Sequence, residues 1–148
     1  MRSVFDGIKP VVAINPFSIT ATGTPLAARV FAVDTFGYNS CMFEVMTGTP
    51  GGTAASVTVA LQVTESATST GTYTNVSGAT GTIAAYTGTA SAKHLQIRVE
   101  DLGTTRLRYL KLVLTVTATP SDGQTTPVAA VALLGNAFRK PVVNAATA

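Results

Sequence analysis

Residues Arg106 to Thr117 read RLRYLKLVLTVT, and this stretch decides the fold. Leu110, Leu112, Leu114 and Val116 fall on one face of an extended chain, while Tyr109, Lys111, Val113, Thr115 and Thr117 fall on the other. An apolar residue at every second position is incompatible with a helix, whose buried face needs recurrences of three and four. The stretch reads as a long, half-buried β-strand.

Upstream, Ser56 to Thr64 repeats the pattern, with Val57, Val59, Leu61 and Val63 alternating against Thr58, Ala60, Gln62 and Thr64. His94 to Glu100 does so again, and the DLGTT segment from Asp101 to Thr105 reads as a hairpin turn into the long strand. Ser40 to Thr47 is a further strand, entered from the turn DTFGYN at Asp34 to Asn39, where Gly37 and Asn39 best tolerate positive φ. Nearer the N-terminus, one extended segment runs from Val11 to Ile14, closed by Asn15 and Pro16, and another carries Arg29 to Val33. A turn from Pro120 to Pro127 leads into a final apolar strand, Ala129 to Leu134. The Thr-Gly-rich stretch from Ser66 to Ala92 holds only brief extended pieces, at Tyr73 to Val76 and Gly81 to Ala85, and reads as exposed hairpins or long loops. About eight strands with regularly spaced turns predict an all-β chain, an antiparallel β-sandwich or jelly roll. The sandwich is expected over residues 11–137, with an N-terminal arm at 1–10 and a C-terminal tail at 138–148.

A chain of 148 residues buries about 68 to 70% of its unfolded surface and folds without staples. The single Cys41 excludes an intrachain disulfide; its strand pattern with Phe43 and Val45 turns it inward and suits a reducing compartment. Charged residues make up 11% of the chain, against about 25% in an ordinary soluble domain. None occurs between Ser66 and Ala92. So weakly ionised a surface desolvates cheaply, which suits packing into a larger assembly. The net charge of +3 is spread over scattered basic residues without interleaved aromatics, so no nucleic-acid partner is expected. Nor is a membrane: Val45 to Thr64 is broken by Pro50, Gly51 and Gly52, and Val128 to Leu134 is too short to cross about 30 Å of hydrocarbon. Asp6, Lys9 and Pro10 interrupt any apolar run after Arg2, so a cleaved leader is not expected.

Catalytic chemistry finds little to work with. His94 is the only histidine, it lies on a polar strand face beside Gln96 and Arg98, and no GxSxG turn presents a serine. One His and one Cys give no zinc spacing, and the adjacent Glu100 and Asp101 point to opposite faces. Gly48 to Gly52 lacks the Lys-Ser/Thr of a phosphate loop. The expectation is no enzyme, no metal and no cofactor. Met42, Glu44 and Met46 stand on the strand face opposite Cys41, Phe43 and Val45, so the two methionines need cover from a second sheet or from an adjacent subunit.

Several motifs occur in a telling order: Ile8-Lys9-Pro10-Val11-Val12 with Asn15-Pro16, VDTFGYNS at Val33 to Ser40, Leu61 with Glu65, TYTNV at Thr72 to Val76, RYLKL at Arg108 to Leu112, and Leu134-Gly135 followed by Arg139-Lys140-Pro141-Val142. Together they resemble a family of capsid decoration, or cement, proteins of tailed bacteriophages, over about residues 8 to 143. The resemblance implies a jelly-roll body, commonly a homotrimer, that sits on the outer face of the virion and stabilises a shell of a different major capsid protein, after assembly in the bacterial host cytoplasm. It implies no catalysis. The chain departs from the family in its Thr-Gly-rich stretch and its FRKP tail.

Under this reading the basic residues of the two tails, Arg2, Lys9, Arg139 and Lys140, are the candidates for contact with acidic capsid residues. A sugar-binding module of a phage fibre is the alternative, with Tyr73, Asn75 and Tyr86 as its stacking and hydrogen-bonding groups. A tail or connector component is a third reading.

Overall fold

Leu110, Leu112, Leu114 and Val116 are fully buried, so the alternation in the deciding stretch carries through to the fold. The structure, a computed structural model, describes residues 7–20, 29–51, 56–86, 92–102, 104–119 and 125–137. These form β1 (Lys9–Thr20), β2 (Val33–Asp34), β3 (Tyr38–Thr47), β4 (Ser56–Ser66), β5 (Thr74–Tyr86), β6 (Lys93–Val99), β7 (Tyr109–Thr119) and β8 (Thr125–Ala137). The first sheet has the order β1-β8-β3-β6 and the second β2-β7-β4-β5, with every pairing antiparallel. β1 pairs with β8, β2 with β7, β3 with β6 and β4 with β5. Each strand thus meets the one equally far from the opposite chain end, as in a long hairpin rolled up on itself. That is the jelly roll.

The core lies between the sheets. Cys41, Phe43 and Val45 of β3 and Ala130, Ala132 and Leu134 of β8 face Val57, Val59, Leu61 and Val63 of β4 and the leucines of β7, all at 3% exposure or less. Because that side of the first sheet is the covered one, Met42, Glu44 and Met46 point away from the second sheet, and Met46 is 44% exposed. Cover from a second sheet is therefore ruled out for these methionines.

Other expectations need correction. The stretch read as loops contains β5, a 13-residue strand. Its buried residues are Val76, Ala79, Ile83 and Tyr86, spaced by three and four. The cause is a register shift: Gln62 and Thr64 of β4 stand opposite Thr80 and Asn75, so β5 bulges between them, turning at Gly78 with φ +76°. A bulge of extra residues erases the period of two. β1 does not end at Asn15-Pro16 but runs on to Thr20, with irregularities flanking Ile14 that admit the proline on an edge strand. The extended segment expected at Arg29 to Val33 shrinks to the two residues of β2 and an isolated bridge from Val30 to Ile14.

Asp101 to Thr105 does not close a hairpin, because β6 and β7 belong to different sheets. Asp101 takes φ 59°, its carbonyl accepts the amides of Thr104 and Thr105, and Leu102 plunges fully buried into the core. Leu102 N–H donates to Asn39 O at 3.0 Å, which pins the crossover against the start of β3. Among the described residues no helix is long and apolar enough to cross a membrane.

Candidate functional site

The jelly-roll topology sorts the connections into two ends. At one end lie the β2–β3 turn, the β4–β5 connection, the β6–β7 crossover, the start of β1 and the end of β8. Of the described charged residues, only Arg29, Glu44 and Lys93 lie away from this end. The rolled hairpin therefore concentrates a sparse charge at one pole.

The geometry there is specific. Arg108 donates to Asp34 from Nε at 2.8 Å and from Nη2 at 2.7 Å, the two-pronged arrangement that fixes a guanidinium plane. The Asp34 carboxylate also accepts Phe36 N–H at 3.0 Å. From the backbone side, Thr35 donates its N–H and hydroxyl to Arg108 O at 3.0 and 2.7 Å. The guanidinium lies 4.9 Å from the Phe36 ring centroid and 5.1 Å from that of Tyr109, within cation–π range. Next along β7, Lys111 Nζ sits 4.2 Å from the Tyr73 ring, and Tyr73 OH donates to Ser69 O at 3.0 Å. Aromatic rings and cations thus alternate from Phe36 through Arg108, Tyr109 and Lys111 to Tyr73.

Electrostatics follow from this packing. The hydrogen bonds from Arg108 hold the Asp34 carboxyl below its ordinary range, with smaller help from the Phe36 amide and the charge of Lys9. Burial, and then the neighbouring Tyr109, push the Tyr73 phenol up. At the mouth of the sandwich, Glu65 accepts Leu107 N–H at 2.9 Å and faces Arg106 Nη1 at 3.5 Å. Around these pairs stand three exposed apolar side chains: Phe36 (57%), Leu107 (43%) and Ile8 (40%). The pole thus sets ordered Arg and Tyr side chains beside exposed apolar groups.

Of the four basic residues expected to make contact, Lys9 is exposed at the start of edge strand β1, close enough to Asp34 for its charge to act there. Arg2, Arg139 and Lys140 lie outside the described residues. The sugar-binding trio does not assemble: Tyr86 is buried on the inner face of β5, and Lys111 occupies the Tyr73 ring. The residues missed by sequence reasoning are Asp34, Phe36, Glu65, Arg106, Leu107, Arg108, Tyr109 and Lys111. All but Glu65 fall within RLRYLK and DTFGY, two runs mixing charge with aromatics, but nothing local ties one run to the other.

No family model matches the chain, and no curated protein matches it by sequence. Among solved structures, it is similar to a chain in the structure of infectious bursal disease virus, Gx strain, with TM-score 0.52 and 12% identity over 90% of this chain and 34% of that one. It thus spans about a third of that viral chain. A chain of naturally occurring empty cowpea mosaic virus particles is similar at TM-score 0.43 and 11% identity, covering 91% of both chains. The CBM22-1–GH10 modules of a Clostridium thermocellum xylanase complexed with xylohexaose follow at TM-score 0.38 and 14% identity, over 95% of this chain and 28% of that one. At such identity the birnavirus likeness speaks to the fold alone, and the described residues of the chain form an all-β jelly roll of eight strands.

Proposed function

We propose that this protein is a virion structural protein that decorates the outer surface of a tailed-phage capsid and cements it by bridging subunits of the major capsid protein. The observation that carries the reading is the polarity of the body. One pole holds the start of β1, the end of β8, the braced Asp34–Arg108 pair with its aromatic row, and exposed Ile8, Phe36 and Leu107. The fold's likeness to a chain of a virus structure and the resemblance to phage decoration proteins support it.

In mechanism, the braced pole supplies oriented contacts and the basic groups of the tails, Arg2, Lys9, Arg139 and Lys140, add attraction to an acidic shell surface. Each contact is weak, but a protein that touches several subunits at once gains avidity through effective concentration. The shell then resists outward pressure without any chemical step.

The test mixes purified protein with undecorated capsids and measures occupancy by co-sedimentation. Three forms are compared: the full chain, a chain lacking residues 1–7 and 138–148, which keeps every strand, and Phe36→Ala/Arg108→Ala. Tenfold weaker binding by the trimmed chain and by the double variant is expected. Undiminished binding by both overturns the reading.

A further inference from the structure

The outer faces of the two sheets differ. On the second sheet, the outward positions of β4 and β7 include Thr58, Thr115, Thr117 and Gln62, whose amide donates to backbone carbonyls, with Val113 the large exposed apolar side chain among them. On the first sheet, β8 turns Pro127, Ala129, Val131 and Leu133 outward, while Val128, Ala130, Ala132 and Leu134 fill the core. Its neighbours continue the apolar surface with Val12, 49% exposed, on β1, and Met42 and Met46 on β3. A strand apolar on both faces belongs to a sheet covered on both sides. Among the described residues, only one side of this sheet is covered.

Two charges on this face indicate what covers it. Glu44 lies in the row Val12–Val131–Glu44–Gln96, and Arg98 in the adjacent row Pro10–Leu133–Met42–Arg98, one strand further on. Neither takes part in an ion pair among the described residues, whereas Asp34 and Glu65 both do. A carboxylate that enters an apolar contact needs a partner charge. Glu100 lines the hollow beside Arg98, Met42 and Leu133 at the polar edge of this face; within the face itself Glu44 and Arg98 are opposite in sign, so it can complement itself.

We infer that this face packs against the same face of a second copy of the chain. A twofold axis running across the strands, between those two rows, lays Leu133 of each copy on Val131 of the other. It also brings Arg98 of each copy within reach of Glu44 of the other, the reciprocity of an isologous contact. Met42 and Met46, unbranched and polarisable, fill the gaps between the two sheets. A face that packs on itself makes an even number of copies, where the family resemblance implies three.

The contact is tested on the full chain alone, without capsids, so its outcome is independent of the capsid reading. Molar mass by light scattering is followed over a dilution series for wild type, Val131→Lys, Glu44→Arg, Arg98→Glu and Glu44→Arg/Arg98→Glu, with circular dichroism confirming that each is folded. The expected result is a dimer that each single change weakens at least tenfold, with the double reversal restoring association. A wild-type monomer at every concentration overturns the inference. So does a trimer, an oligomer indifferent to Val131→Lys, or a double reversal that restores nothing.

Discussion

Arg108 and Asp34 join two parts of the chain 74 residues apart through parallel hydrogen bonds of 2.8 and 2.7 Å, and the guanidinium so held is the surface on which Phe36 rests. The pair therefore organises the β2–β3 turn. A lysine at 108 keeps the charge but loses the fork and the flat contact with the ring. Arg108→Lys is expected to speed amide exchange at Phe36, Gly37 and Tyr38 while leaving β4 and β7 protected, as read by hydrogen–deuterium exchange.

The same pair sets a pH dependence. The Asp34 carboxyl titrates below its ordinary value of 3.8 in the folded chain, so its contribution to stability is complete above that value. It is lost as pH falls from there through the folded value. The carboxylate is substantially exposed, so the effect is small. Thermal melts between pH 5 and pH 2 are expected to show a shallower loss for Asp34→Asn than for wild type; identical slopes contradict the assignment.

Gln62 repairs the bulge in β5. Its side-chain amide donates to Val63 O at 2.6 Å, to Val76 O at 3.1 Å and to Ala79 O at 3.4 Å, occupying carbonyls that the interrupted ladder leaves open. Removing the donor exposes those acceptors to the cost of partial burial. Gln62→Ala is expected to lower unfolding free energy by about 1–3 kcal/mol. Gln62→Glu is expected to be worse, because a carboxylate offers the carbonyls no proton. Denaturant titrations of the three chains measure both.

How far this architecture was legible depends on where the ladders are regular. β3 from Cys41 onward, β4 as far as Val63, β6 and β7 alternate regularly, so Val57 to Val63 and Leu110 to Val116 could be assigned to the core by counting. β5 could not, since a bulge at Gly78 and a register shift near Tyr86 convert a period of two into spacings of three and four. β1 was cut short because Pro16 reads as a stop, although an edge strand accommodates it. The charged pole was harder still. Tyr73 and Lys111, like Asp34 and Arg108, meet only because β4–β5 and β2–β7 fold together, and no local spacing rule encodes such contacts. The basic tails stood out in the sequence instead, as charge without pattern.

Leu102 links the core to the charged pole. It is fully buried, although it belongs to the crossover that ends in Arg106, Leu107 and Arg108. Truncating it leaves a cavity under that segment. Leu102→Ala is expected to cost about 2–5 kcal/mol and, under the proposed function, to weaken capsid binding more than a β7 truncation of equal thermodynamic cost, such as Leu114→Ala. Comparing binding at a temperature where both variants are fully folded separates loosened geometry from lost stability.

Cys41 reports on opening of the first sheet. It is 1% exposed on the inner face of β3, paired with Val99 and Leu134, and burial pushes its thiol up to about 12. Thiolate is the reactive form, so the folded chain offers almost none at neutral or mildly alkaline pH. Labelling with a thiol reagent at pH 8 is expected to be slow in buffer and complete within the dead time in denaturant. Between those limits the rate follows the population of opened molecules. Phe43→Ala, which removes the largest fully buried side chain from the same strand, is expected to accelerate labelling in buffer by at least a hundredfold, the counterpart of about 3–5 kcal/mol of lost stability. A folded wild-type chain whose thiol reacts as fast as a free peptide contradicts the inward placement of β3.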